Sequence, residues 1–99
     1  MSYMLKCLEC KIFGRVQFVM FRDFVKRRAD RLKLTGTVEN KNDGSVFVIA
    51  EGEGKALEEL ISYLKKGPIF AKVLSIEPKW LESTGAFTDF KIIFYDREQ

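Results

Sequence analysis

Near the start of the chain the hydrophobic pattern changes period, and that change limits the folds open to it. Leu8, Cys10 and Ile12 alternate with Glu9, Lys11 and Phe13, the two-residue period of a strand that stops at Gly14. From Phe21 onward the apolar residues Phe21, Phe24, Val25, Ala29 and Leu32 fall at spacings of three and four, the stripe of an amphipathic helix. The stretch Gly14 to Arg22, Gly-Arg-Val-Gln-Phe-Val-Met-Phe-Arg, is therefore a strand-to-helix loop that ends on the first helical turn. Such a junction offers unpaired backbone N–H groups and the positive end of the helix dipole, a ready site for an anion. A cation at Arg22 is poorly placed for that dipole, and a ligand explains it: the guanidinium fork holds two oxygens of a phosphate or carboxylate at once. The alternative is that Gly14 simply ends a strand and that Arg15 and Arg22 are solvated surface charges.

The rest of the pattern supplies the partners of that unit. Leu34-Thr35-Gly36 reads as the helix stop and turn, and Thr37 to Asn40 as a second strand. Lys41-Asn42-Asp43-Gly44 is a hairpin signal, because glycine accepts the positive φ such turns require. Ser45 to Glu51 is the return strand, apolar on both faces at its centre and so expected to be a covered interior strand. Gly52 and Gly54 break it off. A second helix then runs from about Lys55 to Lys66, with Leu57, Leu60, Ile61 and Leu64 inward, and ends at Gly67-Pro68. Ala71 to Ile76, containing Val73 and Leu74, is a further strand, with Pro78 marking its end or an edge. Lys79 to Thr88 has no clear period, and Phe90 to Tyr95 alternates as the last strand. The order β-α-β-β-α-β, with room for an extra strand or extension near Trp80, is the split βαβ plan. It predicts an α+β, ferredoxin-like sandwich: an antiparallel sheet with both helices on one face.

Composition narrows the chemistry more than it narrows the fold. Ninety-nine residues, 46% hydrophobic and 31% charged, make a single soluble domain over residues 1–99. No apolar run reaches the length of a membrane span, and the first residues lack the uncharged core of a signal peptide, so a cytoplasmic protein with no membrane partner is expected. The chain has no histidine, which removes Ser-His and Cys-His nucleophile pairs and imidazole acid–base catalysis. Cys7 and Cys10, three apart on a strand, point to opposite faces and do not bridge each other; a zinc site and a redox pair are both disfavoured. Seven basic residues against two acidic ones between Gly14 and Leu34 give that segment a charge of +5, leaving −2 for the remainder of the +3 chain. A small anion is drawn to this end. Lys26-Arg27-Arg28 suggests a nucleic-acid patch, but on an amphipathic helix such a run is more often the wet face. The signature of the RNA-binding modules that share this topology is absent from Ser45 to Glu51, so no nucleic-acid partner is expected.

In the split βαβ plan the first loop lies beside the strand after the first helix, so Arg22 can face the side chain of Asn40. An arginine, a loop of N–H donors and a carboxamide suit hydrolysis of a phosphoryl group. Here the sequence resembles the acylphosphatases. The first signature of that family, Gly-basic-Val-Gln-Gly-Val-x-aromatic-Arg, is matched by Gly14, Arg15, Val16, Gln17, Val19, Phe21 and Arg22. The second, Gly-x-Val-x-Asn-x-x-Asp-Gly-x-Val, is matched by Gly36, Val38, Asn40, Asp43, Gly44 and Val46. The Gly67-Pro68 turn and the strand Phe90-x-Ile92-x-Phe94-Tyr95 are similar as well.

The resemblance implies hydrolysis of the carboxyl–phosphate mixed anhydride of a small-molecule acyl phosphate, without metal or cofactor, by direct attack of water on phosphorus. It implies that Arg22 binds the phosphate and Asn40 orients the water. Backbone N–H groups of Arg15, Val16, Gln17, Phe18, Val19 and Met20 would form the cradle. Inorganic phosphate would be product and inhibitor, and a monomer is expected. The competing reading is a non-catalytic anion-binding module with a degenerate loop. It rests on one departure: the family's glycine after Val-Gln is here Phe18. Either the loop has another shape, or the phenylalanine is strained and activity is reduced; Phe18 could also reach the acyl side of a substrate, or be merely tolerated. Thr37, often aromatic in the family, alters only the rim.

Overall fold

The computed structural model describes residues 4–94. Strand β1 spans Leu5–Arg15, helix α1 Phe21–Arg31, β2 Thr35–Asn40, β3 Val46–Glu53, helix α2 Gly54–Lys66, β4 Lys72–Glu82 and β5 Phe90–Ile93. The five strands form one sheet in the order β4-β1-β3-β2-β5. Period two decides its faces: Leu8, Cys10, Ile12, Val38, Val46, Val48 and Ala50 are all buried on the side that carries the helices. Phe21, Val25 and Ala29 of α1 and Leu57, Leu60 and Leu64 of α2 close the same core. This is the expected ferredoxin-like α+β sandwich.

The sheet is mixed, where an antiparallel one was expected. β1, β3, β2 and β4 pair antiparallel, but β5 pairs parallel with β2, Val38 beside Ile92 and Glu39 beside Ile93. The cause is where β4 leaves the chain. Its last residue, Glu82, lies beside Lys6 at the end of the sheet where β2 begins. A strand that starts there and joins the free edge of β2 must run parallel to it. Tyr95, assigned to this strand from sequence, lies outside the described residues.

Several boundaries differ from the sequence reading. The turn after α1 falls at Leu32 and Lys33, with Lys33 itself left-handed at φ 59°, and Thr35 and Gly36 already belong to β2. Gly36 has a packing role there: a Cβ on it would lie 1.8 Å from the Ile49 carbonyl oxygen. β4 continues through the segment without a clear period as far as Glu82. As an edge strand paired only with β1 it needs no apolar alternation, and Pro78 sits within it opposite Cys10. A bulge between Phe13 and Gly14 leaves Leu74 without a partner, so it points outward while Val73 packs on the core. The return strand β3 is interior, but only one of its faces is fully buried; Phe47 and Ile49 are half-buried on the other. Among the described residues no helix is long and apolar enough to cross a membrane.

Candidate active site

The site lies at the end of the sheet where β1 and β5 finish. Gly14 makes the exit from β1 possible: it has φ 130°, and a Cβ there would fall 2.1 Å from the Lys72 carbonyl oxygen. Beyond it the chain turns into α1 through two left-handed residues, Phe18 at φ 61° and Met20 at φ 65°. The loop therefore keeps the positive φ that suits glycine, and Phe18 adopts it at a cost of about 1–2 kcal/mol. Met20 is the residue that caps α1, and it makes no side-chain capping bond. Among the described residues no acceptor is found for the backbone N–H groups from Val16 to Asp23; the first N–H of this region with a partner is Phe24, to the Met20 carbonyl at 3.1 Å. A row of such donors at a helix start is a cradle for an anion.

Side chains hold this loop in place. Gln17 donates from Nε2 to the carbonyls of Lys41 and Ser45, both at 2.8 Å, tying the loop to the β2–β3 hairpin. The hairpin is itself fixed by Asp43, which accepts from the Ser45 hydroxyl at 2.6 Å and the Ser45 N–H at 3.0 Å, and pairs with Lys11 at 3.1 Å. Those hydrogen bonds hold the Asp43 carboxyl at about 2, below the usual carboxylate range. Val16 and Val19 pack into the core beneath the loop.

Arg22 and Asn40 meet in one cavity of about 230 Å³, bordered also by Val16, Phe18, Met20, Phe21, Asp23, Ile92 and Phe94. Asn40 ends β2 on the face of Val38, so its side chain lies toward the helices at the mouth of the core, only 7% exposed. Its carboxamide has no hydrogen-bond partner among the described residues, and none of its polar atoms is sealed away from solvent. Arg22 is pre-oriented from the other side. Its Nη1 donates to the carbonyls of Ile93 at 2.9 Å and Phe94 at 3.3 Å, and the guanidinium lies 5.4 Å from the centre of the Phe94 ring. The Nε and Nη2 donors are left without an acceptor among the described residues.

Of the residues expected to bind substrate, Val16, Phe18 and Met20 border this cavity. Arg15, Gln17 and Val19 do not. Arg15 is the last residue of β1, in register with Lys72; Gln17 faces the hairpin; Val19 faces the core. The sequence reading missed Ile92, Ile93 and Phe94 as site components. The parallel register, with Glu39 beside Ile93, carries the end of β5 up to Asn40, and only the topology reveals it. Cys7 and Cys10 are free and buried. Burial pushes both thiols up to about 11, helped at Cys7 by the Glu51 charge, so neither offers a thiolate at neutral pH. Among the described residues no group of three or more acidic or sulfur side chains is placed to hold a metal ion.

An unpaired run of loop N–H groups, a braced arginine and a free carboxamide thus lie together around one small cavity on a ferredoxin-like sandwich. Comparison with known proteins shows the family. The acylphosphatase family model matches residues 8–92. The acylphosphatase of Salinibacter ruber is 45% identical over 87 residues, covering 88% of this chain and 92% of its own. That of Caldanaerobacter subterraneus subsp. tengcongensis is 43% identical over 89 residues, covering 90% and 99%. The crystal structure of acylphosphatase from Bacillus subtilis superposes with a TM-score of 0.87 at 38% identity, over 92% of this chain and all of that one. The chain belongs to the acylphosphatase family.

Proposed function

We propose that this chain hydrolyses acyl phosphates to a carboxylate and inorganic phosphate, with Arg22 and Asn40 as its catalytic residues. The phosphoryl oxygens are received by the N–H groups of the loop and by the free Nε and Nη2 donors of Arg22, which neutralise charge where it develops. Asn40 accepts a hydrogen bond from a water and aims it at phosphorus. The water oxygen bonds to phosphorus and the bond to the carboxylate oxygen breaks, its electron pair leaving with the carboxylate. The proton released by the water ends on phosphate or solvent. A carboxylate is a good leaving group, so the step needs no general acid, which suits a chain without histidine.

The single observation that carries this reading is that Arg22 and Asn40, 18 positions apart in sequence, border one cavity at the start of a helix whose first N–H groups have no acceptor among the described residues. All of these groups come from one chain, so a monomer suffices. Two free cysteines suit a reducing compartment, and the cytoplasm is the proposed location. The test is turnover of acetyl phosphate and benzoyl phosphate with a chelator present, alongside inhibition by inorganic phosphate. Hydrolysis that survives the chelator and is inhibited competitively by phosphate is expected. Phosphate binding without turnover would return the chain to a non-catalytic anion-binding module.

A further inference from the structure

The cavity has two chemically different parts. Its polar lining is Arg22, Asn40 and Asp23; its exposed apolar rim is made by Phe18, Met20 and Phe94. The rim side chains are 91%, 71% and 71% exposed, respectively, so most of each is free of the packing of the chain itself. Two of them are also held in left-handed backbone. A residue in that conformation normally recovers the cost through a contact, and an exposed apolar residue that is strained beside a reacting centre points to a contact made by the ligand. Phe94 strengthens the case, because the guanidinium that receives the phosphoryl group lies against its ring. A group attached to a phosphoryl held at Arg22 would lie in the cavity that these three side chains border. Asp23, the other charged residue of the cavity, is already paired with Arg27 at 2.9 Å. Among the described residues, none of the rim side chains offers a polar group to a charged or hydroxylated acyl chain.

We infer that Phe18, Met20 and Phe94 form an apolar seat for the acyl group, which makes aromatic and other bulky apolar acyl phosphates the preferred substrate class over acetyl-sized ones. This rests on the acyl phosphate reading and adds the identity of the acyl group. Phe18 is a specificity residue: its ring covers one side of the acyl group, and covering a phenyl group from one side amounts to about tenfold in kcat/KM.

The experiment separates ring from backbone. The ratio of kcat/KM for benzoyl phosphate to that for acetyl phosphate is measured in the wild type, Phe18→Leu, Phe18→Ala and Phe18→Gly. The ratio should fall about tenfold in Phe18→Ala and equally in Phe18→Gly, although only glycine relieves the positive φ, and Phe18→Leu should recover part of it. In parallel, calorimetry compares phenacylphosphonate with acetonylphosphonate, in which a methylene replaces the labile bridging oxygen. The phenacyl compound should bind about tenfold tighter to wild type and lose that advantage in Phe18→Ala. Equal affinities in wild type, or a ratio unmoved by Phe18→Ala, overturn the seat. Tighter phenacylphosphonate binding with no turnover of either substrate would leave the seat standing and sink the hydrolase reading, so the two failures are distinguishable.

Discussion

Loops at the two ends of the sheet both gather backbone N–H donors, but among the described residues only one of them is supplied with an anion by the chain. At the end where β1 and β2 begin, Glu51 turns away from the helices and is buried under the segment after β4. Its carboxylate accepts from the Thr84 N–H and Gly85 N–H, both at 3.0 Å, and from the hydroxyls of Ser83 at 3.1 Å and Thr84 at 2.7 Å. Burial opposes the charge there, but the bonds from Thr84, Gly85 and Ser83 outweigh it and hold the carboxyl at about 2. At the opposite end, the donors from Val16 to Asp23 have no acceptor among the described residues. The difference bears on structure and function: a donor loop filled by a side chain pins the fold, while one left open is free to receive an anion from solution.

Substitutions at the two ends should therefore fail in opposite ways. Arg22→Ala should show the largest effect, a loss of roughly a hundredfold or more in kcat/KM, equivalent to at least about 3 kcal/mol of transition-state stabilisation. It should also weaken inhibition by phosphate, with circular dichroism unchanged. Asn40→Ala should lower kcat by about a hundredfold while leaving KM nearly intact, because in the proposed mechanism the water at Asn40 is used only in the chemical step. An equal rise in KM would instead make Asn40 a phosphate ligand.

At the filled end the readout is stability. Glu51→Gln should destabilise the fold by about 2 kcal/mol in urea titration at pH 7, with kcat per folded molecule preserved. The folded-state value near 2 lies below the ordinary 4.5, so the Glu51 contribution is complete above about pH 4.5 and is lost as pH falls toward 2. The stability gap between wild type and Glu51→Gln should close over that window. A gap constant with pH would remove Glu51 as the cause.

Gln17→Ala is expected to have the smallest effect: about 1 kcal/mol of stability from its two bonds to the hairpin, and a several-fold rise in the inhibition constant for phosphate as the loop loosens. No change in phosphate affinity would mean that the loop holds its shape without the hairpin.

What could be read from the sequence follows from the range of the forces involved. The stripes of α1 and α2, the Asp43-Gly44 hairpin and the Gly67-Pro68 stop are local, so periodicity and turn chemistry reveal them. The pairing of Arg22 with Asn40 was legible because topology and two long motifs agreed. Three features were not legible. Lys33 and Met20 take left-handed backbone with no glycine to announce it. Leu74 turns outward because of a bulge opposite Gly14, which depends on pairing with another strand. The carbonyls of Ile93 and Phe94 brace Arg22 as backbone atoms, and no side-chain pattern encodes them.

The contrast between the open and the filled loop is tested most directly by amide NMR during titration with inorganic phosphate. Saturable shifts are expected, confined to the N–H groups from Val16 to Asp23, the Arg22 guanidinium and the Asn40 carboxamide, with Thr84 and Gly85 unmoved. Shifts centred elsewhere, or a loop that stays silent at saturating phosphate, would contradict it.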